Sequence, residues 1–435
     1  MNRGRSRSKA RCILLLSTLF LLALTPGQYG RAQAQATAQP CQKTTFAGKG
    51  LALPQDGYSA VADSKGVYVL YTSPTQVILQ FLNSSAYPSE VGLTFAQHIV
   101  FNGTGIATGR IALGPGHIYV SWLQDVSSVQ DVMLATNSSG LQFSSPVVAG
   151  VSSSATGTEM AVSGPNVYLG YLASGGIGFS VSHDNGSTFT SSVFPGHQEV
   201  NLVAFRSDVY MVWESLIQGE GKVTSIWLMS SQDNGTTWAL QKLPAGTEPR
   251  EPIMAVSANG TLYITWRGNL GAADFYIMRS ADGATTFSPY VNVSNDSTDS
   301  REPWVSSDGN SAVYVIYRDA ANANGYNVYL GTSNDSGSSF KIAQLGTVDG
   351  PKSVSSDQWS PEVASSNGTF AVLWNDQPSP KTKQMYITLG NSTGFTNVLL
   401  GTAGSNIDPR VSTANGIYYA VWKSGKGVGF AMCVP

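Results

Sequence analysis

Eight short runs of aromatic and β-branched residues recur along this chain, each ending in tyrosine or tryptophan. They read VYVLY (67–71), IYVSW (118–122), VYLGY (167–171), VYMVW (209–213), LYITW (262–266), VYVIY (313–317), FAVLW (370–374) and YYAVW (418–422). The closing aromatics, Tyr71, Trp122, Tyr171, Trp213, Trp266, Tyr317, Trp374 and Trp422, stand 42 to 57 residues apart. Such runs are strand formers. Turn residues and further strand-like segments fill the intervals, and no helical periodicity of useful length follows residue 40. A repeat near 50 residues made of strands and turns predicts an all-β fold, a single β-propeller of eight four-stranded blades. Each run takes the second place in its blade, after a short first strand and a Gly or Asn turn such as 257–260.

A second repeat follows the third strands. Ser182-His183-Asp184-Asn185-Gly186-Ser187-Thr188-Phe189 returns as Ser231-Gln232-Asp233-Asn234-Gly235-Thr236-Thr237-Trp238 and as Ser333-Asn334-Asp335-Ser336-Gly337-Ser338-Ser339-Phe340. A fourth copy, Ser280 to Phe287 around Asp282, has its glycine one place early. Aspartate bonds its own backbone two residues on, glycine supplies positive φ, and the aromatic plugs the hairpin from beneath. Blade 2 keeps only Gly140 and Phe143 of this pattern, blade 7 only Gly394 and Phe395, and blade 1 only Thr94-Phe95.

These turns resemble the Asp-box, S-x-D-x-G-x-[ST]-[FW], of the sialidase-like β-propellers (the BNR-repeat proteins), and the resemblance covers about residues 44–434. It assigns Asp184, Gly186, Asp233, Gly235, Asp282, Asp335 and Gly337 a structural role, because the box is a turn device. The sialidases themselves have six blades. They hold the carboxylate of an acidic sugar with three arginines, attack with a Tyr/Glu pair, and use an Asp as acid/base. Their first arginine lies in an Arg-Ile-Pro tripeptide that this chain lacks.

The eighth unit runs out of chain after its third strand. A strand near Thr45-Phe46 is expected to supply the fourth and close the ring, leaving no blade with an open edge. Residues 1–34 read as a secretory signal, with five basic residues before a twelve-residue apolar core (Ile13–Leu24) and small residues at Ala32 and Ala34. Residues 35–435 are then the propeller domain. Twelve apolar residues are too few for the ~20 of a membrane span, so the mature chain is expected to carry no transmembrane segment and to be secreted, extracellular or at the cell surface. Cys41 and Cys433 alone survive signal removal and are expected to form a disulfide in an oxidising compartment.

Removing the signal takes six cations and no acid, leaving 19 cations against 27 acids, a net −8. Such a surface excludes nucleic acid as a partner. Eleven N-x-[ST] sequons, Asn137, Asn292 and Asn391 among them, are surface acceptors in a host that glycosylates, although Asn-rich turns followed by Ser and Thr generate the pattern by composition alone.

Arg250-Glu251-Pro252 and Arg301-Glu302-Pro303 stand where blades 5 and 6 begin, and Arg410 where blade 8 begins. In a propeller these positions face away from the Asp-boxes, near the central channel. They could hold an anionic sugar through guanidinium forks, or pair with acids of neighbouring blades. Arg318 and Asp319, after a second strand, reach the same face. Glu159, Glu199, Glu251, Glu302, Glu362 and Asp408 form a partial ring of acids there. An oxygen-rich ring suits Ca²⁺, but no D-x-D-x-D-G loop is present and the four histidines are scattered, so neither a cofactor nor a metal is expected. Gly390 to Gly394 fits G-x-S-x-G but lies between two strands, where a nucleophile elbow needs a helix.

Two functions follow. One is an exported, non-catalytic monomer binding carbohydrate or a cell-surface protein on its channel face. The other, which the resemblance implies, is an exo-sialidase-like glycoside hydrolase acting on acidic sugars.

Overall fold

The computed structural model describes residues 41–46, 58–83, 96–126, 129–137, 140–152, 158–196, 198–216, 224–269, 273–322, 325–345, 361–379, 382–402, 409–424 and 427–435. Within them, eight antiparallel sheets of four strands each make eight blades, and no helix occurs. The inner strands begin at Tyr58, Ile106, Glu159, Gln198, Arg250, Ser300, Glu362 and Arg410. Each packs beside the next and the last beside the first, so the blades stand in a ring.

All eight aromatic runs are second strands. The first of them, Gly66–Ser73, is buried at every position. Both its faces meet a neighbouring blade, which is why the run shows no apolar–polar alternation. The core accordingly lies between blades. Eight apolar clusters fill the eight seams. At the last seam Tyr419, Val421, Phe430 and Met432 of blade 8 meet Tyr58, Val67 and Tyr71 of blade 1. Trp122, Trp213 and Trp266 are wholly enclosed. Trp213 Nε1 donates to the Pro195 carbonyl (3.0 Å) and Trp266 Nε1 to that of Ala245 (2.9 Å). These rings are seam packing, and none is a platform for a sugar.

Seven blades follow chain order from inner to outer strand. The eighth takes Arg410–Ala414, Ile417–Ser424 and Gly427–Cys433, with Cys41–Phe46 paired antiparallel to the last of these. Cys41 lies opposite Cys433 in that register, and a disulfide joins them.

The repeated turns share one hydrogen-bond pattern. Gly186 N–H donates to Ser182 Oγ (2.9 Å), the Ser187 and Thr188 amides to Asp184 Oδ1 (3.0 and 2.9 Å), and Thr188 Oγ1 to Asp184 Oδ2 (2.7 Å). The turns at Asp233 and Asp335 repeat it. Desolvation opposes ionisation of Asp184, but bonds from Ser182, Thr188 and Ser187 together hold its carboxyl down to about 2. Bonds from Thr237 and Ser231, and from Ser339 and Ser333, do the same for Asp233 and Asp335. At the fourth copy the structure resolves the displaced glycine. Ala284 N–H donates to Ser280 Oγ (3.0 Å), so Ala284 stands in the glycine position at φ 67°, and Gly283 takes the place of the asparagine. The turn has not slipped; an alanine bears its left-handed conformation. Asn185 N–H donates to the Pro165 carbonyl (2.9 Å), placing the boxes beside the turns between first and second strands. The starts of the inner strands therefore lie at the opposite face.

A candidate binding site on the channel face

A cavity of about 660 Å³ occupies the channel and is lined by all eight blades. Glu159, Glu199, Glu362 and Arg410 lie in its wall, as the sequence places them, together with Arg110, Asn201 and Trp304. Arg250 and Arg301 are not in that lining. Asp408 falls outside the described residues. Arg110 pairs across a seam with Glu159 (3.5 Å). Glu362 Oε2 accepts the Val411 amide of the next blade (2.7 Å). No group of three His, Cys, Asp or Glu side chains among the described residues is arranged to hold a metal ion.

Three neighbouring blades carry the same distortion at the mouth. Glu199, Glu251 and Glu302 each adopt a left-handed conformation (φ 58°, 53° and 52°). At each, the pairing of first and second strands slips at a bulge. A bulge re-aims a side chain, and a left-handed non-glycine residue costs of order 1–3 kcal/mol. Glu251 lies close enough to repel both Glu199 and Glu302. Burial and the like charges of Glu251 and Glu214 push the Glu199 carboxyl up to about 7. Burial and the Glu251 charge likewise raise Glu302, although Arg318 pulls it down.

Where blades 5 and 6 meet, the charges are densest. Glu251 Oε1 accepts from Arg267 Nη1 (3.4 Å) and its Oε2 from the Glu302 amide (2.9 Å). Asp299 gathers Arg301 Nε (2.6 Å), the Tyr326 hydroxyl (2.8 Å) and Arg267 Nη2 (3.7 Å). Burial opposes ionisation of Asp299, but the bonds from Tyr326 and Arg301 and the Arg267 charge hold it below the usual carboxylate range. The guanidinium carbons of Arg301 and Arg318 stand 5.0 and 5.1 Å from the centre of the Tyr326 ring. Arg318 is only 4% exposed. Its Nη2 pairs with Glu302, while its Nε and Nη1 donors have no hydrogen-bond partner among the described residues. Asp319, by contrast, turns aside to Thr298 and Ser300.

Of the residues expected on this face, Glu251, Arg301, Glu302 and Arg318 come together here. Asp299 and Tyr326 join them without having been singled out. One local signal for Asp299 exists: it lies two residues before Arg301, the spacing that puts two side chains on one side of an extended chain. Tyr326 is the second residue of the third strand, Gly325–Ser333, and carries no such mark.

No protein-family model and no curated protein matches this chain. Solved structures similar to it include the leech intramolecular trans-sialidase, at 10% identity over 87% of this chain and 90% of that one, with a TM-score of 0.39. A polysaccharide lyase acting on ulvan is 12% identical over 84% of this chain and 97% of its own (TM-score 0.42). The Trypanosoma rangeli sialidase is 13% identical over 91% of this chain and 58% of its own (TM-score 0.41). Similarities of this depth carry no activity, substrate or residue role to the present chain.

Proposed function

We propose that this chain is an exported propeller that holds a carbohydrate on its channel face, where blades 5 and 6 meet, without cleaving it. One observation carries the reading: Arg318 is enclosed, yet two of its donors have no hydrogen-bond partner among the described residues. Buried donors without partners are costly, and a guanidinium fork matches a carboxylate or a pair of sugar hydroxyl oxygens. Arg301, 40% exposed at its side chain, is the arm a ligand meets first. The leader-like residues 1–34 and the Cys41–Cys433 disulfide support export. Titration calorimetry with sialylated and uronate oligosaccharides tests the reading. Binding should weaken at least tenfold in Arg301→Ala while the melting temperature holds. Failure to bind any acidic or neutral oligosaccharide would refute it.

A second reading, hydrolysis of an acidic glycoside, is favoured by the contact of Tyr326 with Asp299 amid Arg267, Arg301 and Arg318. It ranks second because the chain lacks the Arg-Ile-Pro tripeptide, although Asp299, which accepts the Tyr326 hydroxyl, stands where a general base would. Turnover of an aryl sialoside that vanishes in Tyr326→Phe would reverse the ranking.

A further inference from the structure

We propose that Asn391, at the tip of the third-to-outer hairpin of blade 7, is an acceptor for an N-linked glycan. The inference rests on the export just proposed. Folding sorts the sequons by what their amide nitrogens are doing. Asn137 is 3% exposed and its Nδ2 is tied to the Gly140 carbonyl. Asn292 Nδ2 donates to Asp274 Oδ2 (2.9 Å). A glycan at either would break a hydrogen bond that the fold uses.

Asn391 differs in three ways. It and Thr393 are exposed. Thr393 donates twice to Asn391 Oδ1, through its amide (2.8 Å) and its hydroxyl (2.6 Å), and among the described residues Nδ2 has no acceptor. The space beside it is open, because Gly394, its cross-strand partner, has no atom within 4 Å of where a side chain would begin.

The donor is a lipid-pyrophosphate-linked oligosaccharide presented by a glycosyltransferase. Asn391 Nδ2 forms a bond to the sugar C1, the bond from C1 to the pyrophosphate oxygen breaks, and that oxygen keeps the electron pair. The Nδ2 proton leaves to a base of the transferase. The hydroxyl of Thr393 on Oδ1 draws electron density towards oxygen and loosens that proton.

The test uses residues 35–435 behind a host leader in an N-glycosylating secretory cell, so that the chain's own N-terminal segment is not at issue. Amidase release of glycans in heavy-oxygen water converts each occupied asparagine to a labelled aspartate, which peptide mass spectrometry reads. The Asn391 peptide should be labelled in most secreted molecules, and the Asn137 and Asn292 peptides should not. Asn391→Gln and Thr393→Ala should each lose the mass of one glycan with unchanged melting, while Thr393→Ser keeps it. An unlabelled Asn391, or equal labelling at Asn137 and Asn292, overturns the proposal. The readout is a mass, so it stands or falls separately from carbohydrate binding at Arg318.

Discussion

Glu199 shows at the scale of one residue how the ring imposes a charge state. Its carboxyl titrates near 4.5 in an unfolded chain and about 7 in the fold, pushed by burial, Glu251 and Glu214. Between those values the folded state binds more protons than the unfolded one, so stability falls as pH rises. This contribution is complete below about 4.5 and lost above about 7. Burial raises Glu302 and Asp319 as well, so both act in the same sense, while the box aspartates oppose them only in stronger acid. The melting temperature should therefore decline from pH 5 to pH 8, and Glu199→Gln should flatten the decline. Glu199 is walled by surrounding protein atoms yet keeps contact with water along part of its surface, so the effect is expected well below the roughly 1.4 kcal/mol per pKa unit of a dry site. The boxes make a second prediction. A Cβ on Gly186, which sits at φ 79°, would lie 2.4 Å from Leu134 Cδ2. Gly186→Ala should thus lose at least the ~1–2 kcal/mol of a left-handed alanine, measured by denaturant unfolding. Ala284 tolerates the same conformation in the fourth box, so a loss no larger than that strain alone would show that Leu134 simply moves aside. The spacing of Ser, Asp and aromatic made these turns legible in the sequence. The charge state of Glu199 was not, since it depends on two other strands.

The inner strands pose a different problem, because each has one edge with no strand beside it. Side chains of the preceding blade meet amides on that edge. Asn201 Oδ1 accepts from Met254, Glu251 Oε2 from Glu302 (both 2.9 Å) and Glu362 Oε2 from Val411 (2.7 Å). These bonds add direction and register to the apolar packing of the seams. Glu251→Ala would strand the Glu302 amide and leave Arg267 with Asp299 alone, a loss of about 1–3 kcal/mol for the amide left buried without a partner. Glu251→Gln keeps an acceptor and should lose less. Equal melting of the two variants would contradict the latch. The second strands were readable because both their faces are apolar, and Arg-Glu-Pro marked two of the three bulges. Asp299 and Tyr326 escaped notice because their partners come from separate strands of blades 5 and 6, and only the folded ring sets them around Arg301 and Arg318.

At the scale of the whole molecule, the ring places the two ends of the described chain in one sheet. Strand Cys41–Phe46 is the fourth strand of the sheet whose other three end the sequence. Without it the strand Gly427–Cys433 would present an open edge, which proteins avoid because unpaired backbone groups template aggregation. The apolar cluster at the seam between blades 8 and 1 also depends on the last blade keeping its shape. The Cys41–Cys433 bridge spans 392 residues of sequence, so in loop-entropy terms it constrains the unfolded chain nearly as much as a single bridge can, towards the upper end of ~2–5 kcal/mol. It also holds the terminal strand where fraying would begin. Mass spectrometry of the unreduced protein should therefore find one Cys41–Cys433 peptide and no free thiol. Reduction, or Cys41→Ser, should lower the melting temperature by several degrees and raise hydrogen exchange first in Gly427–Cys433. If the bridge closes the ring, that exchange should spread next to blade 1 across the shared seam, before it reaches blade 4 on the far side. Uniform loosening of all eight blades, or a variant that melts as the parent does, would show that the ring is held by its seams alone and that the terminal strand only lies against it.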